Sequence, residues 1–110
     1  MFAQTPEPPY YAVIFTSIRT PGDKGYAETA RRMEELAAGR PGFLGIESAR
    51  DAIGISVSYW DSLEAIQGWK TDSEHALART RGREAWYEAF QVRICRVERA
   101  YGWDQSKRMP

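Results

Sequence analysis

The sequence predicts an α+β fold, a ferredoxin-like βαββαβ sandwich with an antiparallel sheet and helices on one face, on three observations. Strand-like apolar runs cover Tyr10–Ile18 almost without interruption, then Phe43–Ser48 and Ile53–Trp60, and period two returns from about Trp86 onward. Between these stretches the period changes to the 3.6 of a helix, once after Gly25 and once after Trp60. The middle pair of strand-like runs is joined by a turn too short for a crossover, so the two must form an antiparallel hairpin. That order segregates two helical segments to one side of a four-stranded sheet.

Each element has its own cause. Tyr10 to Ile18 is aromatic and β-branched almost throughout, bounded by a proline-rich start and by Thr20-Pro21-Gly22-Asp23. From Gly25 on, Tyr26, Ala30, Met33 and Ala37 fall on one helical face, while Glu28, Arg31, Arg32, Glu34 and Glu35 fall on the other. Gly39 reads as a left-handed stop, with Pro41-Gly42 ending the helix. Phe43 to Ser48 and Ile53 to Trp60 are the hairpin strands, turning near Arg50-Asp51-Ala52. In the second, Ile53, Ile55, Val57 and Tyr59 alternate with Gly54, Ser56, Ser58 and Trp60, so one face is bulky and the other small until Trp60.

Two capping boxes follow, Asp61-x-x-Glu64 and Thr71-x-x-Glu74. They predict helices from about Ser62 to Lys70 and from about Asp72 to Arg81, set at an angle. Leu63, Ile66 and Trp69 would face inward in the first, and Ala76, Leu77 and Thr80 in the second. In the last strand Phe90, Val92 and Ile94 oppose Gln91, Arg93 and Cys95, and the shift of phase past Arg96 predicts a bulge or a change of environment. The domain therefore spans 10–103, between a flexible tail over 1–9 and a frayed one over 104–110.

Bulk properties narrow the function. The 110 residues fit one domain with a modest core. Fifteen Lys and Arg balance fifteen Asp and Glu, which gives no global attraction to nucleic acid or an anionic membrane. Locally, Arg79-Thr80-Arg81-Gly82-Arg83 reads either as an anion patch or as a solvated helix end. One cysteine, Cys95, rules out an internal disulfide and a Cys-cluster zinc site, and its apolar surroundings read as a buried position. The start has neither a signal-peptide pattern nor a membrane span, so a cytoplasmic location is the expectation. Phosphate-loop, nucleophile-elbow and dinucleotide-binding motifs are absent. A single histidine argues against a transition-metal site.

Large apolar residues occupy both faces of the first, third and last strands, yet the helices can cover only one. Soluble monomers avoid exposing several hundred square ångströms of such surface, roughly the ceiling for a typical patch. A homodimer packing sheet against sheet is the expected solution.

The runs Val13-Ile14-Phe15-Thr16-Ser17, Gly22-Asp23-x-Gly25-Tyr26, Pro41-Gly42-Phe43-Leu44-Gly45, Ser56-Val57-Ser58-Tyr59-Trp60-x-Ser62-x-Glu64-Ala65-Ile66, Trp69-Lys70-x-x-x-Glu74-His75, Tyr87 and Val97-Glu98-Arg99-x-Tyr101-Gly102 together resemble the antibiotic biosynthesis monooxygenase family. The likeness extends from Tyr10 to Trp103 and implies a dimeric α+β barrel. It also implies a cofactor-independent monooxygenase that uses O2 on a small aromatic or quinol-type compound. Two alternatives are a haem-binding or haem-degrading monooxygenase, and a non-enzymatic dimer that binds a small ligand or serves as an interaction module.

Oxygenation without a cofactor needs a base to make a phenolic anion and donors to hold it. His75 is the residue whose ordinary pKa suits the base, and Trp69, six positions earlier, would be wall and donor. Both also have structural readings, Trp69 as core and His75 as a helix-start residue. Tyr59, Trp60, Trp86 and Ser17 would line the same cavity. Glu47 would join the site if it faced inward, where burial would raise its pKa. The haem-degrading relatives add an asparagine on the first strand, but this chain has no asparagine and offers Thr16 and Ser17 there. The quinol oxygenases also use an asparagine in their site, so its absence bears on both enzymatic readings.

Overall fold

The computed structural model describes residues 2–107. Four strands and three helices follow in the predicted order: β1 (Tyr10–Arg19), α1 (Tyr26–Ala38), β2 (Phe43–Arg50), β3 (Gly54–Trp60), α2 (Leu63–Thr71), α3 (Ser73–Arg81) and β4 (Tyr87–Val97). A single π-helical turn, Gly82–Trp86, leads from α3 into β4. The sheet is antiparallel throughout, in the order β2-β3-β1-β4.

Register assigns every side chain to one of two faces, because directly opposed residues share a side. Val13, Phe15 and Ser17 of β1 oppose Ser58, Ser56 and Gly54 of β3 and Ile94, Val92 and Phe90 of β4. Ile46, Ser48 and Arg50 of β2 complete this inner face. Ala12, Ile14 and Thr16 oppose Tyr59, Val57 and Ile55, and with Glu47, Arg93 and Cys95 they make the outer face. The helices lie over the inner face.

Trp60 is the centre of the core, with no exposed surface, packed with Ala37 and Ile66 and flanked by Phe43 and Trp69. Its indole meets the Phe43 ring edge-on at 5.3 Å and stacks on Trp69 at 6.2 Å. The inward face expected for α1 is observed: Tyr26, Ala30, Met33 and Ala37 all point toward the sheet.

Several expectations are corrected in detail. Gly39 is right-handed, at φ −89°, because its N–H and that of Arg40 close a tightened last turn on Leu36 and Ala37. The left-handed residue is Gly42, at φ +84°, where a Cβ would also overlap the Asp61 carboxylate. Each cap lies one residue later than expected. Ser62 accepts the Ala65 N–H, since the Asp61 N–H still bonds the Gly42 carbonyl at the edge of the sheet. Asp72 accepts the His75 N–H, since the Thr71 hydroxyl turns back to the Gly68 carbonyl.

The inward face of α3 is also rotated. Leu63 and Leu77 are exposed, and α3 presents His75, Ala78 and Arg79 to the sheet instead of Ala76, Leu77 and Thr80. Docking of His75 on Trp69 sets that rotation. The bulge falls at the opposite end of β4, where Ile18 of β1 pairs with Ala89 and Arg19 with Tyr87 so that Glu88 is left over; there the Arg19 side chain bonds the Trp86 carbonyl and covers the Tyr26 ring. Cys95 is exposed, because β4 is an edge strand and its outer face has no cover.

The N-terminal segment crosses the outer face. The Ala3 N–H donates to Glu47 at 3.0 Å and the Thr5 hydroxyl to the Tyr10 hydroxyl at 3.1 Å. Of the C-terminal tail, Gln105–Lys107 make one 3-10 turn, and 108–110 lie outside the described residues.

Candidate active site

Between the inner face and the helical layer lies a cavity of about 740 Å³, a size suited to a multi-ring organic ligand. Its cause is legible in β3. Gly54, Ser56 and Ser58 leave space where Val or Ile would fill the sandwich, and Phe15 and Val13 form the adjoining floor. No helix packs on β4 closely, so Phe90, Val92 and Ile94 stay partly exposed along an open side.

His75, Trp69, Trp60, Trp86 and Ser17 all line this one cavity. Tyr59 does not, which corrects its expected place. Neighbours on a strand point to opposite faces, so Trp60 inside puts Tyr59 outside. There its hydroxyl donates to Glu47 at 2.8 Å and its ring meets Tyr10. Glu47 is likewise on the outer face, as is Thr16.

The break between α2 and α3 creates the geometry of His75. At the end of α2 the Trp69 carbonyl has no helical donor of its own turn to spare, and it accepts both the Asp72 N–H at 3.1 Å and His75 Nδ1 at 2.9 Å. A carbonyl can only accept, so Nδ1 carries the hydrogen and the neutral ring has its lone pair on Nε2. The imidazole lies flat on the Trp69 indole, 4.2 Å between centroids and 9° between planes. Burial is the main cause that lowers the His75 pKa from its ordinary value, with the nearby Arg79 charge adding to it; the Trp69 carbonyl and Asp72 act in the opposite direction. His75 is thus neutral at pH 7 and can accept a proton at Nε2.

The indole N–H groups of the other two tryptophans in the cavity are spent on structure. Trp60 Nε1 donates to the Ser58 hydroxyl at 3.0 Å, and Trp86 Nε1 to the Lys24 carbonyl at 2.9 Å. Their rings serve as apolar walls.

Sequence reasoning missed Arg50, which it placed in the hairpin turn. Arg50 is the last residue of β2, and its guanidinium folds back over Gly54 to bond both the carbonyl and the hydroxyl of Ser17. A glycine inside a strand signals close approach by another group, and Gly54 was the available clue. The basic run also divides: Arg79 and Arg83 border this cavity, whereas Arg81 borders a shallower hollow between α1 and α3.

Among the described residues, no group of three or more His, Cys, Asp or Glu gathers in metal-binding range. No helix among them is long and apolar enough to cross a membrane.

No protein-family model matches the chain. It is 56% identical over 99 residues to the uncharacterized protein YqjZ of Bacillus subtilis, an alignment covering 88% of this chain and 87% of that one. The chain belongs to the YqjZ family. Among solved structures, SnoaB, a cofactor-independent oxygenase from Streptomyces nogalater, superposes with a TM-score of 0.73 at 10% identity, over 84% of this chain and 97% of its own. PA3566 from Pseudomonas aeruginosa gives 0.66 at 18% identity, over 88% and 100%. An antibiotic biosynthesis monooxygenase gives 0.67 at 12% identity, over 77% and 95%. These likenesses show the fold: an antiparallel α+β, ferredoxin-like sheet with helices on one face, of the kind found in SnoaB and in that antibiotic biosynthesis monooxygenase, as the sequence led us to expect.

Proposed function

We propose that the chain is a cofactor-independent monooxygenase acting on a small aromatic or quinol-type compound, with His75 as the base. The observation that carries this reading is the half-buried imidazole whose Nδ1–H is tied to the Trp69 carbonyl, leaving Nε2 to accept a proton in an aromatic-lined cavity. A phenolic hydroxyl gives its proton to Nε2. The resulting anion supplies an electron to O2, and the two radicals combine to a carbon-bound peroxide. Loss of water then leaves one oxygen atom as a new carbonyl, and the other departs with the two hydrogens the substrate has lost. Trp69 holds the imidazole in place and walls the ring system; Trp60 and Trp86 close the cavity against water.

The test is oxygen uptake with a panel of hydroquinones and naphthols. Wild-type protein should consume oxygen in proportion to product, and His75→Ala should not. Uptake by neither, with a folded wild type, removes the oxygenase reading and leaves the ligand-binding alternative.

Haem suits the site less well. His75 could offer Nε2 to iron, but the chain holds no asparagine, and Trp69 is already stacked flat on the imidazole and is not free to press on a macrocycle. A haem titration of wild type beside His75→Ala should show no Soret shift that depends on the histidine.

The assembly in this reading is a homodimer through the outer face. Ile14, Val57 and Ile55 form an apolar row there, and Ile55 is 48% exposed in the single chain. A monodisperse monomer at micromolar concentration in light scattering would refute it.

A further inference from the structure

We propose that the mouth of the cavity at Arg50 is an anion subsite, and that the ligand is an aromatic compound bearing a carboxylate remote from its reacting hydroxyl. This rests on the reading of the cavity as a site for aromatic compounds and names the substrate class within it.

Three independent observations carry it. First, the cavity is lined by four cationic side chains, Arg50, Lys70, Arg79 and Arg83, against one carboxylate, Glu34. Among the described residues none of the four has a carboxylate within ion-pair distance. Second, the Arg50 guanidinium is positioned and not merely tethered. Gly54 lacks the Cβ that would overlap it, and Ser17, only 2% exposed, holds it by two groups. Those bonds use two of the five guanidinium N–H groups. The remaining donors have no protein acceptor among the described residues, and a planar carboxylate matches such a fork in charge and shape.

Third, an aromatic clamp borders the guanidinium. Phe15, Tyr87 and Phe90 pack within 5.2–6.0 Å of one another on the same stretch of inner face. Tyr87 and Phe90 line the same cavity as Arg50, and Phe90 stands opposite Ser17, the residue that holds the guanidinium. An aromatic body against Phe15 and Phe90 would present its carboxylate to Arg50.

The two ends of the cavity are separate. His75 belongs to the Trp69–Trp60 end, and Arg50 to the Gly54 end of β3. Gly54 and Trp60 are six steps apart along the strand, about 20 Å of backbone before the side chains lean inward. The carboxylate therefore anchors the ligand and does not take part in the proton transfer.

The probes are 6-hydroxy-2-naphthoic acid and its neutral carboxamide, with binding read by calorimetry on the intact protein. The acid should bind wild type at least tenfold tighter than the amide, and 1 M salt should shrink that gap. Arg50→Gln should abolish the preference, with the loss of affinity falling mainly on the acid and far less on the amide. Arg50→Lys, which keeps the charge but loses the fork, should restore only part of it. Equal affinity for acid and amide in wild type, no measurable binding of the acid, or a preference that survives Arg50→Gln overturns the subsite. Binding and turnover separate the two readings: acid preference without oxygen uptake retains the subsite and removes the oxygenase, whereas uptake with equal affinities does the reverse.

Discussion

The two faces of this sheet are built from the same four strands and obey opposite rules. On the inner face β3 carries Gly54, Ser56 and Ser58, and the missing volume becomes the cavity. On the outer face the same strand carries Ile55, Val57 and Tyr59, and the bulk has no cover but the N-terminal segment at one corner. Burial normally favours filling a core to crystal-like density. In the reading proposed above, the face left underfilled beneath the helices takes the ligand, and the face overfilled toward solvent meets a second copy of the chain. Inner-face substitutions should therefore change ligand chemistry, and outer-face substitutions should change assembly.

The largest expected effect is on the outer face. Ile55→Asp would place one carboxylate per subunit in an apolar interface, each costing several kcal/mol without a partner. Light scattering should report monomers, and circular dichroism an intact fold, because the side chain is solvated in the single chain. A dimer unchanged by this substitution would mean that the outer face is not the interface.

Trp60→Ala tests where the inner face stops being cavity and becomes core. Trp60 is fully buried, and its loss should cost about 3–5 kcal/mol of unfolding free energy, read by chemical denaturation. A smaller cost would mean that the cavity collapses into the space, and that its volume is not maintained by rigid walls.

His75→Ala should lower turnover about a hundredfold or more, the usual contribution of a general base, with the dimer retained. The pH dependence has a definite sign. The folded-state pKa of His75 lies below the ordinary value of 6.5, so kcat/KM should rise with pH through that lowered value and level off by neutrality. The same shift means that folding disfavours the protonated ring. Its contribution to stability is complete above pH 6.5 and is lost as the pH falls through the folded-state value. Both pH effects should vanish in the variant.

The fold was legible because period alone separates strands from helices, and the break between α2 and α3 followed from a second start signal near residue 72. The site was legible only in part. Trp69 and His75 were named from their residue types, yet sequence spacing could not show that the helix break would turn one flat onto the other. Tyr59 was misassigned although strand alternation already put it opposite Trp60. Caps were off by one where two polar candidates adjoined, because the choice between Asp61 and Ser62 depends on a bond to Gly42, distant in sequence. Arg50 was hidden for the same reason: its placement depends on Ser17, 33 positions away.

Tyr59→Phe is the smallest and sharpest test of the division between faces. Its ring neighbours Trp60 in the chain, so a loose reading would count it in the site. Its hydroxyl donates to Glu47, which also receives the Ala3 N–H, and removing one such hydrogen bond should cost about 1 kcal/mol. Burial first, and then the Glu47 contact, push the Tyr59 hydroxyl up to about 12 from 10. A raised value means that its stabilisation is complete below pH 10 and is lost as the pH rises through 12, so the variant should lose the alkaline part of the stability profile. Oxygen uptake should be untouched, since the sheet itself stands between Tyr59 and His75. A fall in turnover comparable to that of His75→Ala would show that the two faces communicate, and the separation of ligand face from assembly face would no longer hold.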